Sequence, residues 1–528
     1  MHRWLRGLAS AVALASFIGP GAAHAQSAAA LHLVFVMDGL RPDSITAADT
    51  PNLHRLRAEG VWFENGHSVF PTVTRVNSPS LATGSYPSRH GIMGNSIYVP
   101  AVDPLRAFTN DNFRILLKLD EATSGRMVTA PGIAELLAAS GRKVIAVSSG
   151  GSGSALLLSP KAPRGIGTVI ADFEPGVQVA FPEAESALVL KAAGPAPKKG
   201  GAKDRYDASV DWSMQVLRDY VLPVLRPAVV FTWMTEPDHI QHAFGVGAPE
   251  AVASIRNNDR QLGLVLEKLE ALGMRDKTNV VVVSDHGFAQ TIYQVNAGQA
   301  LVEAGLAAGG TDDVVIASSG QAVALHVRNR DPAKTRAIVE FLQRQPWCGV
   351  IFTAARRGGT AHEGSAPGSF ALEYAHLGGH ERSPDIVFTF RWSSERNRHG
   401  APGTDYALSA TRTGPVDGTI AGHGGISPWA VRNTMLAWGP DFKRGATVKA
   451  PTSNVDVTPT LLHLLGQGGA AAGMDGRVML EALAAGPDPE QVVAATHALR
   501  AQNGSYRAVL QVTEVAGKRY IDQAWRED

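Results

Sequence analysis

The sequence predicts an α/β fold: a mostly parallel central sheet flanked by helices. Three observations carry this. Residues 31–37, 228–234 and 279–283 are near-continuous apolar runs, the pattern of strands buried on both faces. Helical stretches separate them, giving the strand–helix–strand order of parallel sheets. Each run also leads into an acid, Asp38, Asp238 or Asp285, at the carboxyl edge where open α/β sheets place their sites.

In chain order, residues 1–6 are basic, residues 8–18 are apolar, and Ala23-His24-Ala25 forms a small-x-small site before Gln26. Residues 1–25 therefore read as a signal peptide, with a periplasmic or secreted protein expected and no stable membrane span after its removal. Cys348 is the only cysteine, which excludes an intramolecular disulfide and a Cys-based zinc site and fits a bacterial periplasm. A net charge of +1 over 528 residues gives no electrostatic reason to expect a nucleic-acid duplex as partner.

Residues 51–60 form an amphipathic helix with a glycine stop. Residues 70–95 place Thr74 at the mouth of a short helix. Pro79 suits its first turn, Asn77 or Ser78 its cap, and Gly84 its end. A helix over 133–140 leads to a strand at 143–147 and a small Ser/Gly loop at 148–154, which lacks the Lys of a Walker loop. Residues 192–203 read as an exposed loop, and 207–222 and 250–272 as helices. The pattern loosens over 291–412, with strand, helix and strand at 322–327, 332–344 and 349–353, then a strand at 385–390. This stretch is expected to be an inserted cap subdomain. The catalytic core is expected over 26–290 and 413–485, and a C-terminal extension over 486–528, with an edge hairpin at 506–512 and 518–523.

Three carboxylates at one sheet edge would repel strongly in a cleft, and divalent cations resolve that repulsion. His242, His286 and His423 accompany them, and a mixed Asp/His set suits zinc better than calcium. Six such ligands are too many for one tetrahedral ion. Two ions about 3.5–4 Å apart fit the number. Any one of these residues alone has a plainer reading as a turn former or loop residue.

Asp38-Gly39, Phe70-Pro71-Thr72-Val73-Thr74, Thr83-Gly84-x-x-Pro87-x-x-His90-Gly91 running to Asn95, Glu236-Pro237-Asp238-x-x-x-His242, Ser284-Asp285-His286-Gly287 and Gly422-His423 resemble the alkaline phosphatase superfamily. The resemblance is closest to its nucleotide pyrophosphatase/phosphodiesterase branch. It implies an alkaline-phosphatase-like core and two zinc ions, or other divalent transition metals. Asp238, His242 and His423 would hold one; Asp38, Asp285, His286 and the Thr74 oxygen would hold the other. Asn95 matches the phosphate-binding asparagine, its N–H taking up charge on a non-bridging oxygen, and Asn77 is a structural candidate. The implied reaction is hydrolysis of a small phosphate ester or nucleotide-like substrate through a phosphothreonine on Thr74.

Two departures bear on the substrate. Val73 and Arg75 stand where that branch often carries a lysine and an aromatic residue. Arg75 is either a partner for a second phosphate or a carboxylate, or a solvated arginine. Monoesterase and phosphonoacetate-hydrolase relatives commonly carry cationic residues near the loop after the strand at 143–147; the 148–154 loop has none, so by this resemblance a singly charged diester fits better than a doubly charged monoester. The alternatives are a phosphomonoesterase or phosphonoacetate-type hydrolase and, in a different class, a non-catalytic binding protein on this fold. No Gly-x-Ser-x-Gly elbow supports a serine hydrolase, and nothing at Thr74 matches the Cys/Ser-x-Pro-x-Arg of sulfatases.

Overall fold

A computed structural model describes residues 27–308 and 313–527; the expected signal peptide, residues 1–25, lies outside the described residues. Nine strands build the central sheet: β1 (Leu31–Met37), β2 (Val61–Phe63), β3 (Val144–Ser148), β4 (Thr168–Glu174), β5 (Gln178–Phe181), β6 (Val229–Met234), β7 (Thr278–Val283), β8 (Met435–Trp438) and β9 (Ala446–Val448). Their spatial order is β9-β2-β8-β7-β1-β6-β3-β4-β5. β1 runs parallel to both neighbours, with Phe35 opposite Val282 on β7 and Thr232 on β6. β3 is parallel to β6 and β4, while the β7–β8, β8–β2 and β4–β5 pairs are antiparallel.

Every residue of β1, β3, β6 and β7 is buried, which explains their unbroken apolar runs. Alternate side chains serve opposite faces. Val34, Val36 and Phe231 enter one core; Leu33, Phe35 and Val230 enter the other. Each such burial contributes about 1.5–3 kcal/mol. β1 sits between β6 and β7, so their carboxyl ends meet. The Asp38 N–H donates to Met234 O (3.0 Å) and the Asp238 N–H to Asp38 O (3.0 Å).

A second sheet lies within 291–412, in the order Val314–Ser319, Ala322–Val327, Ile386–Phe390, Cys348–Thr353, Phe370–Ala371. The expected helix there is Pro332–Arg344, capped by Asp331, whose Oδ1 accepts the Ala333 N–H at 2.8 Å. A third sheet, also of five strands, pairs Ala289–Val295 with Pro402–Leu408, Gly414–Pro415 and Ala421–Gly422 and adds Trp392–Arg396 beside Pro402–Leu408, drawing strands from both sides of residues 291 and 412.

The C-terminal hairpin is longer than expected, Tyr506–Val515 with Lys518–Glu527, and gains a third strand, Ala494–Asn503. That strand is largely exposed and alanine-rich, so it leaves no apolar alternation to read. The sheet is tied to the core by His67 Nε2 with Asp522 Oδ1 (2.9 Å) and by Tyr520 O–H donating to Asp456 Oδ2 (2.9 Å). Among the described residues no helix is long and apolar enough to cross a membrane.

His32 on β1 is fully buried, and its Nδ1 accepts from Asn279 Nδ2 at 3.2 Å. Burial lowers its pKa from 6.5 to about 4, against the pull of Asp441. The unfolded chain then takes up a proton near 6.5 that the fold refuses. The stability His32 gives is thus complete above that pH and lost as pH falls through it toward 4. His32→Gln is expected to flatten the acid-side fall of the thermal midpoint between about pH 6.5 and 4.5. Parallel curves for the two proteins would contradict this.

Candidate metal centre

The helix carrying the threonine starts earlier than expected. It spans Thr74–Thr83, with Thr74 in its first position and Pro79 in its interior. Val73 O accepts the Asn77 N–H (3.1 Å), which begins the helix ahead of the proline. Asn77 does not cap it. Fully buried, it accepts the Val69 N–H (2.9 Å) and donates to Ser68 Oγ (3.0 Å) and Val73 O (3.1 Å), fixing the bend into the helix. Gly84 closes the helix at φ +59°, as expected.

Two clusters of potential ligand atoms stand beside Thr74: Asp238, His242 and His423, and Asp38, Asp285 and His286. In the first, Asp238 Oδ1 lies 3.4 Å from His242 Nε2 and 3.2 Å from His423 Nε2. In the second, His286 Nε2 lies 3.1 Å from Asp285 Oδ2 and 3.4 Å from Asp38 Oδ1. The clusters adjoin, with His286 Nε2 3.9 Å from Asp238 Oδ1. Thr74 Oγ1 is 3.3 Å from His286 Nε2.

Outer contacts aim five of these six groups, all but Asp238. The imidazole Nδ1 atoms face backbone carbonyls, His242 with Ala421 O (3.0 Å), His286 with Gly287 O (3.0 Å) and His423 with Thr72 O (2.9 Å). Each ring therefore turns Nε2 inward. Trp233 Nε1–H donates to Asp38 Oδ2 (2.9 Å), and the Gly39 N–H to Asp285 Oδ1 (3.1 Å). The remaining oxygens, Asp38 Oδ1, Asp285 Oδ2 and Asp238 Oδ1, are buried with no hydrogen-bond partner. Buried carboxylate oxygens without donors, facing imidazole nitrogens, fit divalent cations. The backbone at Gly39 (φ +70°) allows this, since a Cβ there would sit 2.9 Å from Phe288.

The charges are strongly coupled. Burial, then repulsion from Asp285 and Asp238, pushes the Asp38 carboxyl well above its usual range. Burial would also raise Asp238, yet His242 and His423 hold it well below that range. Burial and His286 lower His423 to about 4. The centre is closed on the Asp38 side and open at His242, whose side chain is 46% exposed beside a cavity of about 650 Å³.

The family model for type I phosphodiesterase / nucleotide pyrophosphatase matches residues 32–411. The chain belongs to this family. His423 lies beyond the matched span. The venom phosphodiesterase of Macrovipera lebetinus is 26% identical over 264 residues, which are 49% of this chain and 25% of that protein. Human ectonucleotide pyrophosphatase/phosphodiesterase family member 1 is 24% identical over 260 residues, 49% of this chain and 23% of that protein. The chain thus spans about a quarter of these relatives' length. Murine ectonucleotide pyrophosphatase/phosphodiesterase 5, solved as an inactive variant with AMP, superposes with a TM-score of 0.55 at 18% identity, covering 84% of this chain and 95% of that one. The human counterpart gives 0.55 at 17%, covering 83% and 95%. The fold of this family member is therefore alkaline-phosphatase-like.

The other residues singled out from sequence lie on the Thr74 side. Asn95 Oδ1 accepts the Arg75 N–H (3.1 Å), and its own N–H donates to Ser319 Oγ (3.1 Å). The donor Asn95 can offer a ligand is therefore its side-chain Nδ2, not its N–H. Arg75 Nε–H donates to Asn110 Oδ1 (2.8 Å). The loop after β3, read as lacking a cation, receives one from elsewhere, since Lys199 Nζ donates to Gly150 O (2.9 Å). Lys199 sits in the 192–203 loop and reaches Gly150 across 49 residues, a pairing no local pattern signals. Trp233 was equally hidden, because within an apolar strand it reads as core.

Trp233→Phe keeps an aromatic, though smaller, ring and removes the donor to Asp38. It is expected to weaken divalent-cation affinity about 10–100-fold, measured by competition with a chelating dye. Unchanged affinity would show that the indole N–H does not hold the carboxylate in a binding pose.

Proposed function

We propose that this family member is a metal-dependent phosphoric ester hydrolase in which Thr74 is the nucleophile. The observation that carries the reading is the Thr74 hydroxyl, 3.3 Å from His286 Nε2 and at the first position of a helix, beside both ligand clusters. Two divalent cations, zinc by the Asp/His donor set, would be held by Asp238, His242 and His423 and by Asp38, Asp285, His286 and Thr74, and would supply positive charge that lowers the pKa of the alcohol, so that its proton passes to solvent, and that stabilises the departing oxygen.

Thr74 Oγ attacks phosphorus in line, the ester oxygen leaves on the opposite side, and a phosphothreonine remains for water to cleave. Asn95 Nδ2 donates to a non-bridging oxygen, and the helix amino end favours the anion. Leaving groups depart toward His242 and its cavity.

A phosphodiester or nucleotide pyrophosphate substrate is the first reading, supported by the family. A phosphomonoester or phosphonoacetate-type substrate is the second, favoured by Lys199 on Gly150, which supplies the cation that loop itself lacks. Residues 1–25 would direct export to the periplasm or beyond.

Purified protein is expected to hydrolyse bis-p-nitrophenyl phosphate or p-nitrophenyl phosphate and to lose that activity on chelation. Faster cleavage of the monoester selects the second reading; activity indifferent to chelators removes the metal mechanism. Thr74→Ala is expected to cut turnover at least about a thousandfold while the bound metal is largely retained. Near-normal turnover would mean another group attacks.

A further inference from the structure

We propose that Arg75 is an oxyanion fork, aimed by Asn110, that binds a second negative charge on the part of the substrate retained on Thr74. This rests on the hydrolase reading and adds the class of ester. Arg75 directly follows the attacking threonine, so it lies on the attack side. The leaving group departs from the opposite face, and what Arg75 can reach is an equatorial substituent of the phosphorus or a group attached to it.

The side chain is held in a closed ring of hydrogen bonds. Its backbone N–H goes to Asn95 Oδ1 (3.1 Å) and its Nε–H to Asn110 Oδ1 (2.8 Å). Asn110 is fully buried and follows the short hairpin of Ser96–Ile97 and Phe108–Thr109. Its N–H donates to Asn95 O (3.2 Å) and its Nδ2 to Gly94 O (3.0 Å), so its N–H and both side-chain polar groups are engaged, and Oδ1 is presented to Arg75.

Among the described residues, neither Nη atom of Arg75 has a hydrogen bond or an ion pair. A half-buried guanidinium pinned at Nε by a buried asparagine, with both Nη ends left open, is preset to receive an acceptor. The free ends suit two oxygens of one anion. A solvated arginine would need no buried asparagine behind it.

The second charge has two sources, the third oxygen of a monoester dianion or an acid on the retained alcohol. Three p-nitrophenyl esters with the same leaving group separate them: methyl p-nitrophenyl phosphate, p-nitrophenyl phosphate and 2-carboxyethyl p-nitrophenyl phosphate. With the metal-loaded enzyme, the readout is kcat/KM for each of the two dianionic esters relative to the monoanionic methyl ester. Arg75→Ala is expected to lower that ratio about 10–100-fold. A fall for the monoester assigns the fork to the third oxygen; a fall for the carboxyethyl ester assigns it to the retained group.

Asn110→Ala, or Asn110→Ser should the alanine variant not fold, is expected to lower the same ratio. Its effect should vanish in the Arg75→Ala background, because Asn110 acts through Arg75. Unchanged ratios in Arg75→Ala overturn the fork, and an undiminished Asn110 effect in the double variant overturns the aiming role. A wild-type enzyme inactive on all three esters would remove the hydrolase reading first, and this inference with it.

Discussion

The structure depends on the repulsion of three carboxylates gathered at the carboxyl edge of three adjacent buried strands. Asp38, Asp238 and Asp285 stand within reach of one imidazole, and each leaves an oxygen without a hydrogen-bond donor. Such an arrangement is unfavourable for the bare protein. The surrounding fold is arranged to hold it regardless. The parallel pairing of β1 with β6 and β7 sets the spacing, backbone carbonyls orient the rings, and Trp233 and the Gly39 amide fix one oxygen each of Asp38 and Asp285.

This constraint explains which parts were legible in the sequence. Strands buried on both faces must be apolar throughout, so β1, β6 and β7 were readable, and the acids after them stood out against that background. Asp238 and His242 share a turn of the helix Asp238–Phe244, a spacing visible in the chain. The antiparallel edge β4–β5 and the exposed strand Ala494–Asn503 were not readable, since neither presents an unbroken apolar run.

Long-range polar contacts were the other blind spot. Pro79 suggested a later helix start because proline is at ease in a first turn. The actual start is set by Asn77, whose side chain is committed to the preceding bend. Ser319 and Asn110 reach Asn95 and Arg75 on the Thr74 side from separate segments, Lys199 reaches Gly150 from another, and only folding reveals these meetings. The candidate ligand clusters are thus written in short motifs. The substrate side is assembled from residues that have no motif, which is why reaction class can be inferred sooner than substrate.

The central claim is that this edge is a paired-cation site built around one alcohol. The most direct test is anomalous scattering at the zinc edge from crystals of the protein loaded with zinc. Two peaks about 3.5–4 Å apart, one among Asp238, His242 and His423 and one among Asp38, Asp285, His286 and Thr74, are the expected result. A single peak, or peaks away from these side chains, would contradict the account.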